Sequence, residues 1–336
     1  MILVTGGTGL VGSHLLYHLT LNDVKIRAIY RTEKSLENVK KVFSFYVDDF
    51  ENQYSKIEWF KADITEVPAM IPAFIGIKHV YHCAALISFN QNDYREMRKV
   101  NIHGTAIIVN LAIDANVKKM CFVSSIAAAG EAKNNELTTE ECEWNKELDN
   151  SGYSITKYGA EMEIWRASQE DVAVIIVNPG IILGSGFWNA GSGKLFTQVY
   201  NTFKYYTEGI SGFVSVQDVV KPMIALMKAD VKNERFILIS ENKSFKEIFF
   251  LIADAFGKKR PSKEAKRWQT EIFWRVAWLV SKITGKEPLL SKYSARSAQS
   301  KSYYSSEKVE KTLNYKFEKV EKTIHDIVAN FPPKIP

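Results

Sequence analysis

The chain has 336 residues, 46% of them hydrophobic, and a formal net charge of +6. That length and apolar content fit one large domain, or a domain with a smaller lobe, around a sizeable core, and they exclude a disordered chain. The surplus of Lys and Arg is modest and dispersed, which argues for a mild preference for anionic ligands and against a nucleic-acid partner.

Cys83, Cys121 and Cys142 are odd in number and widely spaced, and two sit in apolar runs, so they read as reduced thiols of a cytoplasmic protein. Met1 to Thr5 is already strand-like, with no basic leader, so secretion is not expected. The richest apolar stretch, Trp268 to Ile283, is broken by Glu271, Arg275 and Lys282 and is not expected to span a bilayer.

Short apolar, β-branched runs alternate with helical patterns: Ile2 to Val4, Lys25 to Tyr30, Ile57 to Lys61, Lys78 to His82, Lys119 to Val123 and Val172 to Val177. Such alternation predicts an α/β fold, a parallel sheet covered by helices on both faces. After the first run comes Thr5-Gly-Gly-Thr-Gly-Leu-Val-Gly12, opening a helix. Gly6 permits the tight turn, Gly9 lets backbone approach a pyrophosphate, and Gly12 lets the helix pack on the strand. Gly6, Thr8, Gly9, Leu10, Val11 and Gly12 are therefore candidate dinucleotide contacts, with the helix N-terminus facing the phosphates.

The second strand ends in Arg27-Ala-Ile-Tyr-Arg31, placing an arginine where an NAD-selective site has a carboxylate for the ribose 2′-hydroxyl. A guanidinium binds a 2′-phosphate in a fork, so NADP is expected, with Lys34 assisting and NAD as the alternative cofactor. Glu33 complicates this, because turned inward it would serve as the ribose acceptor, and Arg31 also suits a solvated sheet edge. Asp63 and Ile64 end the third strand at the height of an adenine, where Asp63 equally suits a helix N-cap. His82-Cys-Ala-Ala85 ends the fourth; Ala84 and Ala85 allow close approach of a cofactor, and His82 reads as a packed core histidine.

Tyr153 and Lys157 stand four apart in a helical pattern, so they share a face, and a fixed ammonium beside a phenol lowers its pKa. Tyr153 then exchanges a proton with a substrate oxygen. Near Gly184 the alternation breaks; Phe213 to Val216 and Phe236 to Ile239 return as strands, and the rest is mostly helical. The expected division is a Rossmann-type dinucleotide-binding domain over 1–183, its sheet completed from 212–240, and a mostly helical substrate lobe over 184–336. The aromatic cluster of Trp268, Phe273, Trp274 and Trp278 is expected to pack over the C-terminal edge of the sheet.

With these residues in order the chain resembles the extended short-chain dehydrogenase/reductase family. The resemblance rests on the glycine loop, His82-Cys-Ala-Ala85, Asn101-Ile-His-Gly-Thr105, Phe122-Val-Ser-Ser-Ile126, Tyr153-Ser-Ile-Thr-Lys157 and Asn178-Pro-Gly180, and runs from the first residue to about Val220. It implies that Ser125 hydrogen-bonds the reacting oxygen, Tyr153 acts as acid or base, and Lys157 binds the nicotinamide ribose while lowering the tyrosine pKa. It also implies that Asn101 braces helix and sheet, that Pro179, Gly180, Ile181 and Ile182 lie against the nicotinamide, and that a homodimer forms through the helices after the fourth and fifth strands.

Two departures bear on substrate. Ser211-Gly-Phe-Val-Ser-Val-Gln-Asp218 lacks the Arg-Asp pair typical of nucleotide-sugar epimerases, and Ala127-Ala-Ala-Gly130 lacks their tyrosine. The chain looks more like the dihydroflavonol reductase-like and 3β-hydroxysteroid dehydrogenase-like branch, which implies carbonyl and alcohol interconversion on a small, largely apolar substrate. Phe89, Phe187, Trp188, Phe196 and Tyr206 are candidate pocket lining, each also suited to core. The alternatives are a nucleotide-sugar epimerase or dehydratase and a non-catalytic dinucleotide-binding sensor, the latter disfavoured by the intact Tyr153 and Lys157. Lys258, Lys259, Arg260, Lys263, Lys266 and Arg267 before the Trp-rich helix form an interfacial pattern. Membrane association is nonetheless not the expectation; a helix covering the substrate pocket is.

Overall fold

The computed structural model describes residues 1–132, 136–284 and 290–333. Twelve strands are placed: β1 Ile2–Thr5, β2 Ile26–Tyr30, β3 Ile57–Lys61, β4 His79–His82, β5 Lys119–Val123, β6 Ala173–Pro179, β7 Ile181–Leu183, β8 Tyr205–Tyr206, β9 Ile210–Ser215, β10 Glu234–Leu238, β11 Glu241–Ser244 and β12 Lys263–Glu264. The main sheet has seven parallel strands in the order β10-β6-β5-β4-β1-β2-β3. Its central strands bury nearly every side chain, all five in β5 and six of seven in β6. Continuous apolar runs are what a strand covered on both faces requires.

Helices on opposite faces supply the two main cores. Leu15, Leu16 and Leu19 of Leu10–Thr20 join Val219, Val220 and Met223 of Val216–Lys228 on one face. Ile108, Val109 and Ala112 of Gly104–Asp114 join Ala160 and Ile164 of Gly152–Ser168 on the other. The chain runs outward from β1 to β3, then returns to place β4 on the other side of β1. That reversal is the topological switch point, where a crevice opens beyond the strand ends.

At Asn178-Pro-Gly180 the chain leaves the main sheet. A Cβ at Gly180 would stand 2.3 Å from the Gly212 carbonyl oxygen, so only glycine lets the two segments pass. β7 then enters a second sheet in the order β11-β9-β7. This corrects one expectation: of the returning strands only β10 completes the main sheet, against β6, whereas Phe213 to Val216 falls largely in β9 of the small sheet. Leu183, Trp188, Phe196, Phe213, Ile248 and Ile324 form a third core there.

The packing also departs from a lobe that is continuous from 184. The Val216–Lys228 helix serves the main sheet, and Val309 of the helix Glu307–Leu313 returns to the same core. The Trp-rich helix, Arg267–Thr284, does not cover the sheet edge. Trp268, Ile272, Phe273, Val276, Trp278, Leu279 and Val280 are each between 49% and 62% exposed. The helix is held instead through its polar side, where Glu271 lies 3.6 Å from Arg296 of the short helix Lys292–Ser297. Among the described residues no helix is long and apolar enough to cross a membrane.

Candidate active site

The glycine loop joins β1 to the helix Leu10–Thr20 at the switch point. Gly6 has φ +66°, and a Cβ there would lie 2.5 Å from the Ala84 nitrogen; a Cβ on Gly12 would lie 2.1 Å from the Gly6 carbonyl oxygen. The fold itself demands these two glycines. Gly9 differs, because a Cβ there would meet only the Gly6 oxygen at an ordinary 3.4 Å. Gly9 precedes a helix whose first turn has no side-chain cap and no acidic residue, so its N-H groups and positive dipole end remain for an anion. A glycine that the protein does not need, beside uncapped N-H groups, fits a dinucleotide pyrophosphate.

Around the loop, Thr5 Oγ1 meets His82 Nδ1 at 2.6 Å and His82 Nε2 meets Thr105 Oγ1 at 2.9 Å. Burial pushes His82 down to about 3, so the ring is neutral and works as a buried connector, as a core histidine should. At the ends of β2 and β3, the Arg31 side chain is 69% exposed and 3.7 Å from Asp63. Asp63 also accepts from the Thr65 nitrogen at 2.9 Å and the Thr65 hydroxyl at 2.8 Å, which makes it a turn-former. Glu33 is turned elsewhere: it accepts from the Tyr30 hydroxyl at 2.9 Å and lies 3.8 Å from Lys61.

The candidate reactive groups come from two elements. Ser125 follows β5, accepts from the Ala127 nitrogen at 3.1 Å, and has its carbonyl pinned by the Asn178 amide at 2.9 Å. The helix Gly152–Ser168, capped by Ser151, brings Tyr153 and Lys157 to the same place, and Ser154 ties it to the Ala127 carbonyl. Asn101, on a π-helical turn, accepts from the Leu86 nitrogen at 2.7 Å and donates to Thr156 at 3.0 Å, bracing the loop after β4 against that helix.

Burial pushes the Tyr153 phenol up to about 12, opposed by its hydrogen bond with Ser125. Burial also pulls Lys157 down to about 8, opposed by the Glu161 carboxylate. The expected lowering of Tyr153 by Lys157 is not seen within the chain itself. The ammonium is drawn to the end of β5, donating to the Val123 carbonyl at 2.7 Å and lying 4.3 Å from the Phe122 ring centroid. Desolvation therefore sets both values.

With this geometry in place, the comparisons with known proteins become specific. A family model described as male sterility protein, an NAD-binding family, matches residues 4–231. The chain belongs to this family of extended short-chain dehydrogenase/reductases. It is 24% identical to a putative dihydroflavonol 4-reductase of Synechocystis over 89% of this chain and 85% of that protein. It is 25% identical to the anthocyanidin reductase of Arabidopsis thaliana over 76% of this chain and 80% of that one. Among solved structures, gox2253 superposes with a TM-score of 0.80 at 25% identity, covering 98% of this chain and 97% of that one. The UDP-glucose 4-epimerase of Thermotoga maritima shares the fold, with a TM-score of 0.75 at 21% identity and coverage of 98% and 97%. The chain is thus an NAD(P)-dependent oxidoreductase by family.

In this short-chain dehydrogenase/reductase two of the five candidate pocket aromatics take the core reading. Trp188 and Phe196 are sealed in the third core, at 2% and 0% exposure, and the half-buried Tyr206 packs against it. Phe187 is half-buried beside them. Phe89 is exposed and its ring meets Tyr153 edge-on at 5.8 Å. A small cavity of about 100 Å³ adjoins the site, lined by residues including Ile126, Ala127, Gly130, Trp144, Ser154 and Tyr304.

Sequence reasoning missed Glu161. It is fully buried, accepts from Asn178 at 2.6 Å and lies 3.7 Å from Arg235. Burial raises its pKa, opposed by Ser124, Asn178, Arg235 and Lys157. The signal was present, since Tyr153, Lys157 and Glu161 recur at intervals of four on one helix face.

Proposed function

We propose that this oxidoreductase is NADP(H)-linked and interconverts a ketone or aldehyde with an alcohol on a small, largely apolar substrate. The observation that carries the reading is the meeting of Ser125, Tyr153 and Lys157 beside the glycine loop, near enough that the Lys157 charge acts on His82 and Cys83 at the end of β4. A bound nicotinamide dinucleotide supplies or accepts the hydride. Gly9 and the N-terminus of Leu10–Thr20 would hold its pyrophosphate, and Ala84, Ala85 and Pro179 to Ile182 would lie beside it. Tyr153 gives its phenolic proton to the carbonyl oxygen in reduction and takes it back in oxidation. Ser125 donates a hydrogen bond to the same oxygen, and protonated Lys157 would hold the nicotinamide ribose beside Tyr153.

NADP is supported by the exposed Arg31 guanidinium and by the engagement of Glu33 with Tyr30 and Lys61. An apolar substrate is supported by Phe89 against Tyr153 and by relatives named for dihydroflavonol and anthocyanidin reduction. The test is a panel of aldehydes, ketones, sterols and nucleotide sugars followed by nicotinamide absorbance. Net NADPH consumption with an apolar carbonyl is expected; turnover of a nucleotide sugar with no net loss of NADPH would replace this reading with an epimerase.

A further inference from the structure

The helix Arg267–Thr284 is mounted inside out. Its less exposed side carries Thr270, Glu271, Trp274, Ala277 and Ser281, and Glu271 ties it to Arg296. Its opposite side carries Trp268, Ile272, Phe273, Val276, Leu279 and Val280 at intervals of three and four, all about half exposed or more. A surface helix of a globular protein turns its apolar stripe inward, and a contiguous apolar face turned outward marks an interaction surface.

Charge selects the partner. Between Asp254 and Lys282 the chain has eight lysines and arginines against three acidic residues. Asp254 is held by Arg260, and Glu271 by Arg275 and Arg296, so two of those three are neutralised internally. Lys258, Lys259, Lys263, Lys266 and Arg267 lie exposed at the head of the helix. The charges at Arg267, Glu271, Arg275 and Lys282 keep the helix from crossing a bilayer, whereas an apolar face edged by basic residues suits the plane of an anionic lipid surface.

We propose that Arg267–Thr284 anchors the protein peripherally to an anionic membrane, with Trp268, Ile272, Val276 and Leu279 entering the headgroup and acyl boundary. The anchor would sit next to the active site. Arg296 bridges Glu271 of this helix to Asp149, four residues before Tyr153, and Lys292 adds a second ion pair to Asp149 at 3.0 Å. The proposal goes beyond the proposed reaction and does not depend on the substrate.

Flotation of the purified full chain with phosphatidylcholine vesicles, with and without phosphatidylglycerol, tests it. The chain is expected to float with the anionic vesicles at low salt and to be released by high salt. Ile272→Glu/Leu279→Glu is expected to weaken that binding at least about tenfold, and Lys259→Glu/Lys266→Glu to abolish the preference for anionic lipid. Thermal melting and turnover of a water-soluble carbonyl should be unchanged in both, because these side chains touch neither core nor site. Absence of flotation with anionic vesicles at low salt overturns the proposal. So does a dimer in sedimentation that Ile272→Glu/Leu279→Glu turns into a monomer, since the face would then belong to a second copy.

Discussion

Lys157 and Glu161 lie one turn apart on the buried face of Gly152–Ser168, at 1% and 0% exposure, and each holds the other's charge against burial. Lys157 is protonated below about pH 8. Carbonyl reduction, which uses that charge, should be level below this value and fall as pH rises through it. Glu161→Gln and Glu161→Ala remove the group that raises Lys157, so the falling limb should move to lower pH in both. Glu161→Ala should also cost about 3 kcal/mol or more, because it leaves buried cations without their carboxylate. A pH-rate profile and a denaturant titration separate the effects; an unmoved limb would reduce Glu161 to a packing role.

The three loop glycines should separate by experiment. Gly6→Ala meets both a left-handed φ and the Ala84 backbone, and Gly12→Ala meets the Gly6 carbonyl. Each should lower stability by at least about 2 kcal/mol. Gly9→Ala has room within the protein and should melt like the parent, yet lose dinucleotide affinity tenfold or more, by about 1.4 kcal/mol or more. Calorimetric binding beside thermal melting reads both quantities.

Arg31 should decide between cofactors. Arg31→Ala is expected to weaken NADPH by about tenfold, one charge-assisted contact, with little change for NADH. Equal binding of NADH and NADPH by the parent chain would remove the basis for NADP selectivity.

The buried histidines make stability depend on pH in one direction. His82 and His14 are pulled down to about 3 and about 4, whereas in the unfolded chain they take up a proton near 6.5. Their contribution is complete above pH 6.5 and is lost as pH falls toward the folded values. Each should account for roughly 1.4 kcal/mol per pH unit in that window. Melting temperatures from pH 7.5 down to about 5 should fall, with a smaller slope in His82→Phe. An identical slope would show that His82 is not the group responsible.

The main sheet was legible because its central strands are buried on both faces, so apolar β-branched runs mark them directly. Of the small sheet only β9 was legible, through Phe213 to Val216. β11 reads Glu-Asn-Lys-Ser and has no strand signature; it is held by pairing with β9 and by Asn242, which donates to the Tyr304 carbonyl at 2.9 Å and accepts from the Tyr304 nitrogen at 3.0 Å. The Trp-rich helix was found as an apolar stretch with clustered aromatics, but such a cluster does not say which way it points. Glu161 was visible as spacing, yet its role rests on Arg235 and Asn178, which only the fold brings to it. Trp188 and Phe196 took the core place that each also suited, and only the packing of the third core decides between the two readings.

The central claim is that Tyr153 moves the proton while NADPH is consumed. Single-turnover oxidation of NADPH by the parent chain and by Tyr153→Phe, on whichever carbonyl the panel identifies, tests it most directly. Tyr153→Phe should keep its melting temperature and its NADPH affinity and lose the hydride-transfer rate by about 100-fold or more. A rate equal to that of the parent chain would contradict the account.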